Sequence, residues 1–156
     1  MKGSAKVVRL LNEVLGGELV GISQYFVHAK MCKNWGYLRL GEAILHESIE
    51  EMKHASDLTE RILFLEGVPN LQKLDKLHIG ETVPEQLKAD LALERDAVKR
   101  LNAGIAVCVA EGDNASRHLL EDLLKSEENH VDWIETQLGL IGSLGEKQYL
   151  AEQLRA

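Results

Sequence analysis

The sequence predicts an all-α protein, a four-helix bundle with a long crossover between its second and third helices. Apolar residues recur at alternating steps of three and four along four long stretches, which is the period of an amphipathic helix. Only two prolines occur in 156 residues, and 45% hydrophobic with 28% charged residues is typical of a globular chain. This length suits one core, so we expect residues 1–156 to form a single domain.

Glycines and capping residues give the helix boundaries in order. The first helix is predicted at residues 5–35, before Gly36, and the second at residues 40–66, with Gly67 as its stop. A capping box, Thr82-Val83-Pro84-Glu85, opens the third helix, which runs to about residue 111. Asp113 or Asn114 caps the fourth, which ends near residue 141. Ser143 with Glu146 then opens a short fifth helix that runs to residue 154.

The connection between the second and third helices determines the topology. Residues 67–81 reach about 50 Å when extended, whereas a helix of about 27 residues is about 40 Å long. The connection is therefore long enough to return along the whole bundle, as in bundles whose second and third helices run parallel. An up-down bundle with a long loop is the alternative.

Composition excludes several classes of function. The net charge of −7 and the absence of a basic run argue against a nucleic-acid-binding protein. No apolar run approaches the roughly 20 residues that span a bilayer, and the N-terminus lacks the apolar core of a signal peptide, so we expect a cytoplasmic protein without membrane contact. Cys32 and Cys108 form no CxxC pair and are expected to be reduced, partly buried thiols rather than part of a disulfide framework or a zinc site.

One glutamate interrupts the apolar stripe of each long helix. The four are Glu18, Glu51, Glu94 and Glu127. An unpaired buried carboxylate is costly, so four on one core require positive charge, yet the stripes contain no lysine or arginine. Instead, His54 and His130 each follow a stripe glutamate by three residues and share its helical face.

The spacing of these residues repeats. Glu18 and Glu51 are 33 residues apart, as are Glu94 and Glu127, and the second pair follows the first by 76 residues. The chain is thus predicted to contain two copies of one helical pair, related by a pseudo-twofold axis. Four carboxylates and two imidazoles are typical of a site for two divalent metals bridged by carboxylates. A metal-free, hydrogen-bonded network of these side chains is the alternative.

Over essentially its whole length the sequence resembles bacterioferritin. The resemblance is carried by the opening MKG, by NEVLGGELVGISQYF, ESIEEMKHASD, RILFLEGVPNLQKL and SEENHVDWIETQLGLI, and by the late QYL. It implies an all-α, ferritin-like four-helix bundle with a long crossover and a short C-terminal fifth helix. It also implies that the predicted metal ligands form a di-iron ferroxidase centre, in which Glu51 and Glu127 bridge the irons. Glu18 with His54, and Glu94 with His130, would complete the two positions.

The resemblance further implies a cytoplasmic iron-storage shell of 24 copies, built from dimers, that oxidises Fe(II) with O2 or H2O2 and holds the ferric mineral. The shell would contain this chain alone or a second ferritin subunit as well. A second apolar ridge predicts association independently, because a monomer would leave it exposed to water. The ridge consists of Leu15, Leu19, Ile22, Phe26, Leu45, Ile49, Met52 and Leu63.

Met52 lies one step from Glu51 and cannot face the same metals. Taken alone it is an ordinary packing residue. The resemblance implies instead that Met52 and its copy in a second subunit ligate a shared haem b, which aids iron release with electrons from a small ferredoxin. Ser23 and Gly17 depart from the asparagines usual in that family.

Several other side chains have open assignments. Tyr25 lies two turns from Glu18, so it either donates an electron near the metals or is a core tyrosine with a bonded hydroxyl. His46 and Glu50 match an inner-surface iron relay of the resembled family, in which the acid is usually an aspartate. The remaining histidines, His28, His78 and His118, are expected to be surface or packing residues.

Two other functions compete with iron storage. One is a haem-bearing shell subunit that acts mainly in electron transfer within a mixed shell, which the full ligand set disfavours. The other is a di-iron oxidase or peroxidase without storage, as in rubrerythrin-like proteins. The absence of CxxC pairs disfavours that alternative.

Overall fold

Four long helices and a short fifth one make up the regular structure of residues 1–155, the part of the chain that the computed structural model describes. They are α1 (Ala5–Asn34), α2 (Leu38–Phe64), α3 (Val83–Ala110), α4 (Asn114–Leu144) and α5 (Glu146–Ala151). α1 packs mainly on α2, and α3 on α4, while a long connection joins α2 to α3. The predicted fold class is therefore confirmed. No helix within residues 1–155 is both long and apolar enough to cross a bilayer.

The predicted caps form at α3 and α4. The Thr82 hydroxyl accepts a hydrogen bond from the Glu85 amide at 3.3 Å, and the Asp113 carboxylate accepts from the Ser116 amide at 3.0 Å. The Ser143 prediction was wrong, because α4 continues to Leu144 and Ser143 Oγ donates back to Gly139 O within it at 3.1 Å. Gly145, with φ of 83°, makes the turn into α5 without a side-chain cap.

The end of α2 also differs from expectation. Glu66, rather than Gly67, takes the left-handed conformation, with φ of 62°. Gly67 is needed for close packing, because a Cβ there would lie 2.6 Å from Val8 Cγ1 and 3.0 Å from Ile62 Cγ2. Its amide donates to Ile62 O at 2.9 Å and completes the helix end.

Two apolar clusters form the core, one toward each end of the bundle. One contains Leu11, Leu58, Leu101 and Leu120 with their neighbours. The other contains Tyr25, Leu40, Leu87 and Ile134 with theirs. On every helix the predicted metal ligands fall between the residues of these two clusters, so apolar packing encloses them from both ends. Cys32 and Cys108 are free thiols, as predicted, but they are fully rather than partly buried.

The predicted outer ridge is only partly correct. Leu15 is fully buried in the core. By contrast, Phe26, Ile49, Met52 and Leu63 are each about half exposed, at 48%, 48%, 60% and 57%. An apolar strip therefore does remain on the outer side of α1 and α2.

Buried polar side chains hold the crossover against the bundle. The Gln24 side chain accepts from the His78 amide at 3.1 Å, and His28 Nε2 accepts from the Gly80 amide at 3.1 Å. His28 is fully buried, and its other ring nitrogen lies 2.9 Å from the carboxylate of buried Asp90. His28 is therefore a buried packing residue that also anchors the crossover, and His78 is exposed, so both agree with the expectation of surface or packing residues.

Candidate metal centre

The six predicted ligand side chains all lie in the middle of the bundle, and each residue is less than 9% exposed. Their donor atoms form two overlapping groups in which all atoms lie within 4.8 Å of one another. The groups are Glu18, Glu51, His54 and Glu127, and Glu94, Glu127 and His130. Glu127 belongs to both groups, whereas Glu51 joins only the first. All four long helices therefore supply donors to one buried layer.

Helix packing decides how the first group fits together. Glu51 and His54 share a face of α2 because they are three residues apart. Gly21 on α1 leaves room for the Glu51 carboxylate, since a Cβ there would lie 2.9 Å from Glu51 Oε2. His54 Nδ1 lies 3.0 Å from Glu127 Oε1 and 3.7 Å from Glu18 Oε2.

His130 occupies the corresponding place in the second group. Its Nδ1 lies 3.0 Å from Glu94 Oε1 and 3.5 Å from Glu47 Oε2. Tyr25 donates its hydroxyl hydrogen bond to Glu94, and its ring contacts His130 edge-on with centroids 5.1 Å apart. The Trp133 indole stacks on the other side of His130, with centroids 6.0 Å apart. Tyr25 thus lies beside the predicted ligands of the second group.

Several ligand atoms in this layer make no well-aligned hydrogen bond within residues 1–155, although His54 Nδ1 and Glu127 Oε1 lie only 3.0 Å apart. They are Glu18 Oε2, His54 Nδ1, Glu94 Oε2 and both carboxylate oxygens of Glu127. Buried polar groups are normally hydrogen-bonded, and each exception needs a physical reason. Oxygen and imidazole donors directed at shared points suit divalent cations such as Fe(II). The donor set therefore fits two metal ions bridged by carboxylates.

The same crowding shifts the proton equilibria. Burial and the neighbouring Glu127 carboxylate raise the pKa of Glu94 to about 8. Burial and the Glu18 carboxylate raise the pKa of Glu51 well above its usual range. Burial would lower the pKa of His54, but Glu127 and Glu18 outweigh it and raise that pKa to about 10. Without cations, the layer therefore retains protons to reduce its repulsion, and metal ions would have to displace them.

Glu47 is a site residue that the sequence analysis missed. It lies one turn before Glu51 on α2, and its side chain is 24% exposed. Burial raises its pKa, although the neighbouring His130 acts in the opposite direction. A search for acidic residues one helical turn from each predicted ligand would have found it.

The remaining predicted residues, His46, Glu50 and Met52, lie on the outer side of α2, around the buried Ser48. Ser48 Oγ donates to Ile22 O at 2.8 Å and sets the register of α2 on α1. Met52, one turn further along α2, is 60% exposed and belongs to the outer apolar strip. His46 Nε2 and Glu50 Oε1 are 3.7 Å apart on an exposed face of α2, outside both donor groups, and Glu50 also pairs with Lys53 at 2.8 Å.

Comparisons with known proteins agree with this geometry. Residues 8–144 match the model of the ferritin-like domain family. The chain is 48% identical over 152 residues to a bacterioferritin of Mycobacterium leprae, covering 97% of this chain and 96% of that protein. It is 49% identical over 145 residues to a bacterioferritin of Rhodobacter capsulatus, covering 93% and 90%. It is 45% identical over 149 residues to a bacterioferritin of Brucella melitensis, covering 96% and 92%.

Proposed function

The chain belongs to the bacterioferritin family, and from this membership we propose that it stores iron by oxidising Fe(II) to Fe(III) at a two-metal centre inside each subunit. Membership supports iron storage itself. The observation that carries the ferroxidase proposal is the convergence of six buried donor side chains, among which five donor atoms make no well-aligned hydrogen bond within residues 1–155. Such a layer is costly without cations.

Each proposed ligand has a role in binding ferrous substrate. Glu18 with His54 holds one iron, Glu94 with His130 holds the other, and Glu51 and Glu127 bridge them. Four carboxylates balance the charge of two divalent ions, so a cation pair enters without leaving buried net charge. Each Fe(II) loses one electron, and the pair reduces one H2O2 with two protons to two waters, or one O2 with two protons to H2O2.

Tyr25 is proposed to keep Glu94 in place. It is also proposed to supply an electron when the bound iron provides fewer electrons than the oxidant takes up. The hydrogen bond from its hydroxyl to Glu94 and its edge contact with His130 support this role. Burial and the nearby Glu94 carboxylate raise the pKa of Tyr25 well above its usual range, so the phenol is neutral. Loss of an electron from it would pass the hydroxyl proton to Glu94, which already accepts its hydrogen bond.

Storage requires an enclosing assembly, and we propose a cytoplasmic shell of 24 subunits built from dimers, either of this chain alone or with a second ferritin subunit. The exposed apolar strip around Phe26, Ile49 and Met52 supports burial against another copy. His46 and Glu50 are proposed to pass iron toward the interior, since an imidazole and a carboxylate 3.7 Å apart suit a transient cation.

Met52 is proposed to hold one face of a haem b shared with a second copy of the chain. Met52 is 60% exposed beside the apolar side chains of the outer strip, which would suit a soft thioether ligand facing a neighbouring subunit. Haem supplies one-electron chemistry that would reduce stored ferric iron, and a small ferredoxin is the proposed source of electrons. The chain itself would contribute the thioether ligand and the apolar surface around it.

Two measurements test the proposal. Size-exclusion chromatography with an absorption spectrum is expected to give a shell-sized assembly that carries haem bands. Anaerobic titration with Fe(II) is expected to saturate near two ions per subunit, and added O2 should then permit continued uptake far beyond two. Uptake that stops at two would refute storage, and an absence of saturable binding would refute the metal centre.

A further inference from the structure

The pseudo-twofold repeat relates the predicted ligands but not their surroundings. An offset of 76 residues pairs Glu18 with Glu94, Glu51 with Glu127, and His54 with His130. The same offset pairs Tyr25 with Leu101, Glu47 with Leu123, and Asp57 with Trp133. The two metal positions therefore have matching ligands in different environments.

Polar and aromatic side chains surround the Glu94–His130 position. Glu47 Oε2 lies 3.5 Å from His130 Nδ1, the same nitrogen that Glu94 approaches to 3.0 Å. Glu94 Oε2, in addition, is buried without a hydrogen-bond partner within residues 1–155. Because the Glu47 side chain is 24% exposed, it extends from this nitrogen to the surface of α2.

The Glu18–His54 position has no equivalent of Glu47. Leu123 stands at that place in the repeat and is 2% exposed within an apolar cluster, as is Leu101 at 1%. Asp57, the counterpart of Trp133, is exposed and forms no ion pair within 4.0 Å in the described chain. At the place that Glu47 occupies in the other half, a cation leaving this position meets no carboxylate. Glu50, which is close enough to His54 to interact with its charge, is paired with Lys53 at 2.8 Å.

We propose that Glu47 makes the two metal positions unequal, by acting as the carboxylate through which a divalent cation enters and leaves the Glu94–His130 position. A buried cation exchanges more easily when a new ligand binds it before an old ligand releases it. Glu47 lies beside His130, where its carboxylate can bind the cation before His130 or Glu94 releases it. Leucine at the corresponding place makes the Glu18–His54 position the slower one to exchange. This inference rests on the proposed two-metal centre.

Metal exchange tests this without any oxidation. The full-length metal-free assembly is loaded with Co(II), whose absorption reports binding, and then mixed with excess Zn(II). The wild-type protein is expected to bind two Co(II) per subunit and to lose them in two phases of equal amplitude, with rates at least about tenfold apart, a difference of about 1.4 kcal/mol in barrier.

Glu47→Gln is expected to slow only the fast phase, by about tenfold. Glu47→Leu, which gives both halves a leucine, is expected to leave a single slow phase. Glu42→Gln is the matched control, because Glu42 is an exposed glutamate on the same helix without a contact to the donor groups, and its kinetics should equal those of the wild type. An unchanged fast phase in both Glu47 variants, or a single phase in the wild type, overturns the inference. Failure of the wild type to bind two Co(II) overturns the proposed centre itself.

Discussion

Replacing Glu127 with glutamine is expected to stabilise the metal-free protein. Both carboxylate oxygens of Glu127 are buried without a well-aligned hydrogen bond within residues 1–155, although His54 Nδ1 lies 3.0 Å from Oε1, and an unsatisfied buried group costs about 1–3 kcal/mol. Glutamine keeps the volume, removes the charge and adds an amide donor for the neighbouring Glu94, while its oxygen remains available to His54. We therefore expect the free energy of unfolding to rise by about 1–3 kcal/mol, which raises Tm by roughly 2–12 °C for a chain of this length.

The same substitution is expected to weaken stabilisation by metal. Free Zn(II) at one hundred times its Kd stabilises a protein by about 2.7 kcal/mol per site, or about 5.4 kcal/mol for two sites. Because Glu127 belongs to both donor groups, Glu127→Gln should lose more than half of this gain. Metal-free and metal-loaded proteins should therefore respond to one substitution with opposite signs.

Scanning calorimetry with a chelator, and again with Zn(II), measures both effects. Glu128→Gln is the matched control, because Glu128 is the adjacent glutamate and is exposed outside the donor groups. The reasoning is refuted if metal-free Glu127→Gln is no more stable than the control. Equal stabilisation by Zn(II) in both variants would refute the assignment of Glu127 as a shared ligand.

Further predictions concern protons, haem and the crossover. Affinity for Zn(II) should fall as pH drops through about 8. Burial and Glu127 raise the pKa of Glu94 to about 8, so this side chain must release a proton before it binds metal. Calorimetry in buffers of different ionisation heat detects this release. The free energy of unfolding of the metal-free protein should fall as pH rises. The raised pKa of Glu94 stabilises the folded state fully below about pH 4.5, and this contribution is lost as pH rises through about 8. The raised pKa of His54 contributes fully below about pH 6.5, and this contribution is lost as pH rises through about 10. Met52→Leu should abolish haem absorption while shell mass and Fe(II) oxidation persist; loss of oxidation instead would contradict the separate roles. His28→Ala should speed proteolysis of residues 68–80, because the Gly80 amide loses its acceptor and Asp90 keeps only Gln24 of its two partners. The same change at the exposed His118 should have no such effect.

The buried layer of glutamate and histidine side chains could be predicted from sequence because burial on a helix follows a local period. Glu18, Glu94 and Glu127 occur where that period requires an apolar residue, and a charge in such a place is visible without tertiary information. The same reasoning from helical period gave a wrong result for Leu15, which was predicted to lie on the exposed ridge but is buried. That side chain is covered by packing between helices, which no single helical stripe describes.

Contacts that join distant segments through polar atoms could not be predicted. His28 binds a backbone amide of the crossover, and Gln24 binds another, so neither partner leaves a periodic signal. The prediction that Ser143 caps the fifth helix failed for a related reason. A serine followed by a glutamate is a common cap, but the same hydroxyl also bonds well inside a helix, as it does here to Gly139.

Tyr25 and Glu47 show why the repeat gives only half of the site. Both residues belong to the first helical pair, yet both contact donors of the second pair, at Glu94 and His130. Sequence offsets compare residues at equivalent places, and at these two places the second copy has leucines. The repeat therefore predicts equal ligands, and only packing between the pairs reveals that their supporting groups differ. An internal duplication that retained its ligands while diverging around them would allow one position to hold iron and the other to exchange it.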